Sequence, residues 1–200
     1  EGWMELLNGP VQRLVHKATE RFTHVMQRTQ TDVNARFARR ELILSPSDFG
    51  FHNAVVGSDG ALNFVDFEYF GWDDPAKLLA DFVHHAGHQV SWILCKRFVI
   101  GVCSALEHGH SVLKRWHQVV DLVGVEWLLI VLNVVDPEIL AQRTRANGSE
   151  ATSASIAARI VSAIERINRM EARLAGGTQF FTIPVDEEVA SEVFKRVATN

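Results

Sequence analysis

Three polar residues in the first third of the chain have the types and the spacing of a phosphoryl-transfer site. Asp48 lies in a polar loop, Asn53 follows five positions later, and Asp66 lies thirteen positions beyond Asn53. One carboxylate and one amide oxygen, completed by phosphates and water, suit Mg²⁺, which takes hard oxygen ligands. A second carboxylate that faces a substrate hydroxyl orients it and accepts its proton late in the transfer.

Short strands separated by turns must bring these three residues together. The apolar stretches 41–44, 53–56 and 62–65 predict strands, and Gly57-Ser58-Asp59-Gly60 predicts a tight hairpin turn between the last two. A hairpin that begins beside Asn53 returns Asp66 to the same place. We therefore expect the three oxygen-bearing side chains to converge on one point.

Helical periodicity dominates the remainder of the chain. Residues 3–29 carry apolar side chains at helical spacing, with Asn8 as a cap and Pro10 near a helix start. Asp74 is expected to cap the helix that begins at Pro75. Further helices are predicted at about 76–92, 93–116, 118–133, 137–145, 152–175 and 186–198. The pattern predicts a mainly α fold with one small β-hairpin element.

The polar segments resemble the catalytic and metal loops of aminoglycoside phosphotransferases and the related choline and homoserine kinases. That family shows His-x-Asp-x-x-x-x-Asn, a short hairpin, an apolar residue followed by Asp-Phe/Trp-Glu, and Gly-Asp-Pro before a helix. The matching segments here are Pro46-Ser47-Asp48 with Asn53, then Val65-Asp66-Phe67-Glu68, then Trp72-Asp73-Asp74-Pro75. The close resemblance covers about residues 41–85.

The resemblance implies a protein-kinase-like C-terminal lobe (α+β) that spans residues 1–200 as one unit. Residues 41–75 would carry the catalytic and metal-binding loops, and 76–200 a helical subdomain. By the same resemblance, Asp48 is the catalytic base, Asn53 and Asp66 bind Mg²⁺ and thereby the nucleotide, and Asp81 buttresses the loop. The implied activity is transfer of the γ-phosphoryl group of ATP, or of another nucleoside triphosphate, to a hydroxyl of a small molecule.

Two departures from the family pattern leave alternatives open. Pro46 replaces the family's loop histidine, and no glycine-rich phosphate loop or strand lysine precedes residue 41. We expect the N-terminal ATP lobe of the same protein to precede Glu1 in a longer chain, and this lobe alone to be inactive. The alternatives are a pseudokinase-like binding or regulatory module without turnover, and a helical interaction protein whose loops are structural.

Other polar residues receive weaker assignments. Glu68 and Asp73 lie near the proposed metal loop and are expected to be solvated, while Trp72 is expected to pack. The helices after the catalytic loops form the substrate side in this family, which suggests three residues for substrate contact: Glu126, Asn133 and Asp136. Ser45 and Ser47 lack the glycine-flanked elbow of a hydrolase.

The histidines invite a metal interpretation that the sequence does not support. His84 and His88 are four positions apart, with His85 between them, so the predicted helix would place them on one face. Zinc needs a third ligand, and no His-Glu-x-x-His pattern is present. Zinc is therefore not expected.

Composition limits the function classes. Twenty Lys and Arg against 24 Asp and Glu give a net charge of −4 without a basic block, which argues against nucleic acid as the main partner. The most apolar run, 127–135, is too short to span a bilayer, so no membrane association is expected. Cys95 and Cys103 read as reduced core thiols. The sequence predicts a cytoplasmic protein whose partners are a nucleotide and a small hydroxylated substrate.

Overall fold

Helices make up most of the chain. The computed structural model describes residues 2–88, 90–133, 136–147 and 152–176. Seven α-helices lie in these ranges: α1 Gly2–Leu6, α2 Gln12–Thr29, α3 Pro75–His84, α4 Trp92–Ala105, α5 Gly109–Leu132, α6 Pro137–Asn147 and α7 Ser153–Leu174. None of the helices described is both long and apolar enough to traverse a bilayer. The predicted helix at 186–198 lies outside the described residues.

Four short strands form two antiparallel pairs: β1 Ile43–Ser45, β2 Ala54–Val56, β3 Leu62–Phe64 and β4 Gly71–Asp73. β2 and β3 form the predicted hairpin, and Gly60 at its turn has a φ of 81°, a left-handed conformation that glycine adopts without strain. β1 pairs with β4, which the sequence did not predict. This pairing brings the two ends of residues 46–70 together, so that segment forms one loop that starts and ends at a two-stranded sheet.

The first helical segment continues through Pro10, contrary to the predicted helix start. A π-helical turn, Leu7–Val11, contains Pro10 and joins α1 to α2 without a break. Asn8 lies inside this turn, so the prediction that it caps a helix was wrong. Proline has no N–H, and a wider turn accommodates it where a regular α-helix would be kinked.

The predicted helix 93–116 is two helices. α4 ends at Ala105 and α5 begins at Gly109, where an added Cβ would lie 1.7 Å from the carbonyl oxygen of Cys103. Glycine is therefore required for the start of α5 to pack against the end of α4. The close contact turns the chain back on itself within three residues.

α5 is the central helix, and it separates two apolar clusters. One cluster lies where α3 and α4 pack against α5, and Trp116 at its centre is fully buried. The other cluster lies among α2, α5 and α7. Cys95 and Cys103 are buried and unpaired, so the prediction of reduced core thiols is confirmed.

Ion pairs tie the helices around α5. Asp121 is buried on α5, receives a hydrogen bond from Arg173 of α7, and pairs with Arg21 of α2 at 3.3 Å. Nearer the start of α5, Arg115 donates to the Asp74 carboxylate at 3.0 Å. Buried charges persist where they are paired and hydrogen-bonded. Arg115 therefore links the central helix to the start of α3, beside the loops that carry Asp48 and Asp66.

Candidate functional site

The Asp48 carboxylate is held by two histidines. Oδ1 lies 2.8 Å from Nε2 of His85, and Oδ2 lies 3.2 Å from Nε2 of His52. Partial burial by itself raises the pKa of Asp48, but the hydrogen bonds with His85 and His52 outweigh it and hold that pKa below its ordinary value. Asp48 is therefore ionised at neutral pH.

The backbone fixes the tautomer of His85. The N–H of Gly87 donates to Nδ1 of His85 at 2.8 Å, so Nδ1 is an acceptor. Nε2 then carries the proton and donates it to Asp48. Burial lowers the pKa of His85 although the bond to Asp48 opposes this, so a neutral imidazole serves as donor to a carboxylate.

An aromatic anchor positions the loop that carries Asp48. The ring of Phe49 lies 4.8 Å from that of Phe64 on β3 and 5.9 Å from those of Phe82 on α3 and Phe98 on α4. Aromatic pairs at such separations add to the stabilisation from burial. Because Phe49 points into this cluster, its neighbour Asp48 faces the opposite side of the loop, toward the histidines.

The amide of Asn53 has one defined orientation. Its Nδ2 donates to the backbone oxygen of Asp48 at 3.0 Å and lies 3.4 Å from Oδ2 of the same residue. Both of these atoms are acceptors, so the amide nitrogen must face them and Oδ1 must face away. Among the described residues no donor reaches Oδ1, which leaves this oxygen free for a cation.

Asp66 lies in a segment fastened to the Asp48 loop at both ends. The N–H of Val65 donates to the carbonyl oxygen of Asn53 at 2.9 Å, and the hydroxyl of Ser47 donates to the carbonyl oxygen of Tyr69 at 3.1 Å. The hairpin thus returns residue 66 to the neighbourhood of Asn53. Its side chain is exposed, and the residue lies two positions past the end of β3.

The backbone at Asp66 adopts a left-handed conformation, with a φ of 65°. Such conformations are less favourable for Asp than for glycine, although Asp and Asn adopt them more readily than other residues. Its carboxylate makes no hydrogen bond or ion pair with the described residues. The backbone of Asp66 is therefore in a less favourable conformation, and its carboxylate is available to bind a ligand.

Negative charge concentrates around this segment. The pKa of Tyr69 is raised, first by its hydrogen bond with Glu68 and also by the charges of Asp66 and Asp48. Three carboxylates therefore act on one exposed phenol. This field favours a divalent cation over an anion at the loops.

The family resemblance implied that Asp81 buttresses the loop with Asp48, but the two do not make direct contact. Its carboxylate accepts from Lys77 Nζ at 2.9 and 2.8 Å and from Trp127 Nε1 at 3.1 Å. The indole of Trp127 in turn lies 4.2 Å from the ring of His85. Asp81 thus supports Asp48 through Trp127 and His85.

The remaining candidates have varied surroundings. Glu68 is exposed, as expected, whereas Asp73 is half-buried and accepts from the N–H of Asp74 at 2.8 Å. Trp72 is 46% exposed, with the Arg39 guanidinium 3.8 Å from the centre of its ring, so it packs less than expected. Asp74 caps α3 as predicted, accepting from Ala76 at 3.0 Å.

The three residues suggested for substrate contact lie at different places on the helices. Glu126 is exposed on α5, 3.7 Å from Lys77. Asn133 ends that helix and is half-buried. Asp136 caps α6 through the N–H of Glu138 at 2.8 Å. No contact of these side chains with Asp48 is found among the described residues.

A histidine cluster beside Asp48 was missed because the predicted helix was too long. α3 ends at His84, so His85 and His88 lie beyond the helix and the shared-face argument does not apply. His52, from the turn before β2, joins them: its ring stacks on His85 with centroids 4.1 Å apart, and His85 lies 5.1 Å from His88. The available signal was the number of histidines near the two loops.

The two strand pairs next to the site and the loop between them carry many exposed apolar side chains. Nine large side chains there are exposed: Leu44, Val55, Val56, Leu62, Val65, Phe67, Tyr69, Phe70 and Trp72. Single exposed apolar residues are normal, but so many within one short segment favour an interaction surface. This group occupies the two strand pairs and the loop that bears Asp66.

The comparisons with known proteins add no function to this geometry. No family model, no curated protein and no solved structure matches the chain. What can be inferred of its function therefore comes from the contacts of residues 41–88.

Proposed function

We propose that the chain is the catalytic lobe of an ATP-dependent phosphotransferase that acts on a hydroxyl of a small molecule, with a protein-kinase-like fold. One observation carries the proposal: the segment with Asp66 is fastened to the loop with Asp48 and Asn53 by Val65 at one end and Tyr69 at the other. Two acids and an amide from separate segments thus share one locality, as phosphoryl transfer needs.

Asn53 and Asp66 are the proposed ligands of Mg²⁺. The Asn53 amide presents its oxygen because both acceptors near it take the nitrogen, and the Asp66 carboxylate is free of protein donors among the described residues. One amide oxygen and one carboxylate fit an ion that keeps several waters and binds phosphate. Bound there, Mg²⁺ would neutralise charge on the transferred phosphoryl group.

Asp48 is the proposed partner of the acceptor hydroxyl. Its lowered pKa keeps it ionised, and the donors His85 and His52 fix the direction in which its remaining lone pairs point. A carboxylate held in this way orients a hydroxyl for in-line attack and takes the proton as the bond to phosphorus forms. Positioning therefore contributes more than base strength.

A nucleotide-gripping lobe of the same protein is the proposed partner of the exposed apolar side chains on the strand pairs. Covering Val55, Val56 and Phe67 would remove exposed apolar surface at about 25 cal/mol per Å². It would also enclose a nucleotide between two lobes beside Asp66. We place the protein in the cytoplasm, in agreement with the unpaired Cys95 and Cys103.

A nucleotide-binding module without turnover is the second candidate. Both carboxylate oxygens of Asp48 already have imidazole partners, and Pro46 replaces the family histidine. In such a module Asp48 would be structural. The protein would transfer no phosphoryl group, and Asp48→Asn would only lower its stability. In the phosphotransferase, the same change abolishes transfer and leaves nucleotide binding intact.

The test is a chemical-shift titration of the ¹⁵N-labelled 200-residue chain with ATP, with and without Mg²⁺. We expect weak binding, with Mg²⁺-dependent shifts at the Asn53 side-chain amide and at residues 65–69. Asp66→Ala should remove the Mg²⁺ dependence, whereas Glu107→Gln, an exposed acid between α4 and α5, should keep it. Shifts that are the same with and without Mg²⁺ in the wild type would contradict the proposal.

A further inference from the structure

Three imidazoles meet beside Asp48, from segments that are far apart in the sequence. Among the residues described, His52, His85 and His88 form the group of His, Cys, Asp or Glu side chains whose ligand atoms all lie within 4.8 Å of one another. His52 comes from the turn before β2, and the other two follow the end of α3. Ring stacking between His52 and His85 keeps these segments together.

In each of the three rings, Nε2 faces a hydrogen-bond acceptor. Asp48 faces this nitrogen in His52 at 3.2 Å and in His85 at 2.8 Å, and the carbonyl oxygen of Phe82 faces that of His88 at 2.9 Å. A carbonyl and an ionised carboxylate only accept, so the Nε2 atoms carry the protons and the Nδ1 atoms carry lone pairs. Metal-binding histidines characteristically donate their other N–H to a carboxylate or backbone carbonyl.

The Nδ1 atoms of His52 and His88 both lie close to Gly50. A Cβ added at Gly50 would lie 2.7 Å from Nδ1 of His52 and 2.8 Å from Nδ1 of His88. Nδ1 of His88 is buried and has no hydrogen-bond partner. A buried acceptor without a partner is destabilising, so the arrangement is incomplete as it stands.

We propose that His52, His85 and His88 bind a divalent transition ion of the zinc class, at a site separate from the proposed Mg²⁺ ligands Asn53 and Asp66. Imidazole nitrogen favours Zn²⁺, Co²⁺, Ni²⁺ and Cu²⁺ over Mg²⁺. Zn–N bonds are about 2.0–2.1 Å, so the rings must turn out of their stacked arrangement and move closer together around the ion. Nδ1 of His52 and of His88 are the first ligands.

His85 becomes a ligand when its Nδ1 gives up a hydrogen bond and binds the metal. Its Nδ1 now accepts from the N–H of Gly87, which lies on an exposed turn. Releasing that one bond frees the lone pair while Nε2 stays on Asp48. Three histidines leave a fourth position for water, the ligand set of an open zinc site. Zinc binding at this site requires neither nucleotide nor Mg²⁺, so its test does not depend on whether phosphoryl transfer occurs.

Cobalt absorbance tests the site on the whole 200-residue chain. Co²⁺ added to the wild type should give visible d–d bands that saturate at one equivalent and are displaced by Zn²⁺. His88→Ala, which leaves both bonds of Asp48 in place, and His52→Ala should each weaken Co²⁺ binding at least tenfold. His24→Ala, an exposed histidine on α2, is the matched control and should bind as the wild type does. Absent bands, or histidine variants that bind like the control, would overturn the site.

A second measurement needs no variant at the cluster. Long-range ¹H–¹⁵N spectra of the wild-type imidazoles resolve which nitrogen binds an added ion. One equivalent of Zn²⁺ should shift Nδ1 of His52 and His88 and leave His24 unchanged, and Mg²⁺ should shift neither. Zinc shifts confined to other histidines would refute the assignment even if every variant unfolded.

Discussion

His85 Nε2 and Asp48 Oδ1 lie 2.8 Å apart, although 37 positions separate the two residues in the sequence. The bond joins the loop before β2 to the turn that follows α3. Its donor is fixed, because the N–H of Gly87 occupies the other nitrogen of His85. The orientation of Asp48 therefore depends on how α3 ends.

Replacing His85 by Phe should raise the pKa of Asp48. The ring keeps its size and its contact with Trp127, but the donor at 2.8 Å is lost while the partial burial that raises the pKa stays. The carboxyl ¹³C shift of Asp48, followed against pH, measures this. His24→Phe on α2 is the control, and an Asp48 titration that is the same in both variants would show that the bond does not act on the carboxylate.

Much of the β element could be predicted from local sequence. The hairpin turn at 57–60 and the cap of α3 by Asp74 follow from residue types that favour them, and both were confirmed. The fastening of residue 65 to Asn53 follows from the hairpin register. Each of these features depends on residues that are close in the sequence.

The rest depends on tertiary contacts. The pairing of β1 with β4 and the stacking of His52 on His85 join segments whose separation no local pattern encodes. The predicted end of α3 was too late, and at its observed end the carbonyl oxygens of His84 and His85 accept hydrogen bonds from Arg166, more than eighty positions away. The error of eight residues there hid the histidine cluster.

Arg166 on α7 should be needed for the turn after α3. Its Nη1 donates to the carbonyl oxygen of His84 at 2.6 Å and its Nη2 to that of His85 at 3.2 Å, which satisfies acceptors that a helix end leaves open. Arg166→Ala should lower the free energy of unfolding by about 1–3 kcal/mol, measured by urea titration.

The matched control for Arg166 lies on the same helix. Arg169 is exposed on α7, so Arg169→Ala should change the free energy of unfolding by less than about 0.5 kcal/mol. Equal losses in both variants would mean that the effect comes from helix charge and not from the two carbonyl contacts. The Asp48 and His85 resonances should move only in Arg166→Ala.

His84 should make stability fall as the pH drops below about 6.5. Burial lowers its pKa to about 4, with the positive charges of Arg166 and Arg173 acting in the same direction and Asp121 opposing them. Between these pH values the unfolded chain takes up a proton that the folded chain refuses. The free energy of unfolding should therefore be about 2 kcal/mol lower at pH 5 than at pH 7 from this group alone.

Urea titrations at the two pH values isolate this contribution. His84→Gln should flatten the pH dependence even though the substitution disturbs the packing of the ring against Gly124. His24→Gln should keep the wild-type dependence, because His24 is exposed. Identical slopes in the two variants would show that His84 is protonated in the folded chain at pH 5.

The left-handed backbone at residue 66 should lower the free energy of unfolding of any variant with a side chain there, relative to glycine. Its φ of 65° lies where glycine is unstrained and other residues are not, so Asp66→Gly should be more stable than Asp66→Ala by about 1 kcal/mol in urea unfolding. Both variants lack the carboxylate, and both should lose Mg²⁺-dependent nucleotide shifts. If Ala equals Gly in stability, the backbone strain is absent; if either variant keeps the Mg²⁺-dependent shifts, the carboxylate is not the ligand.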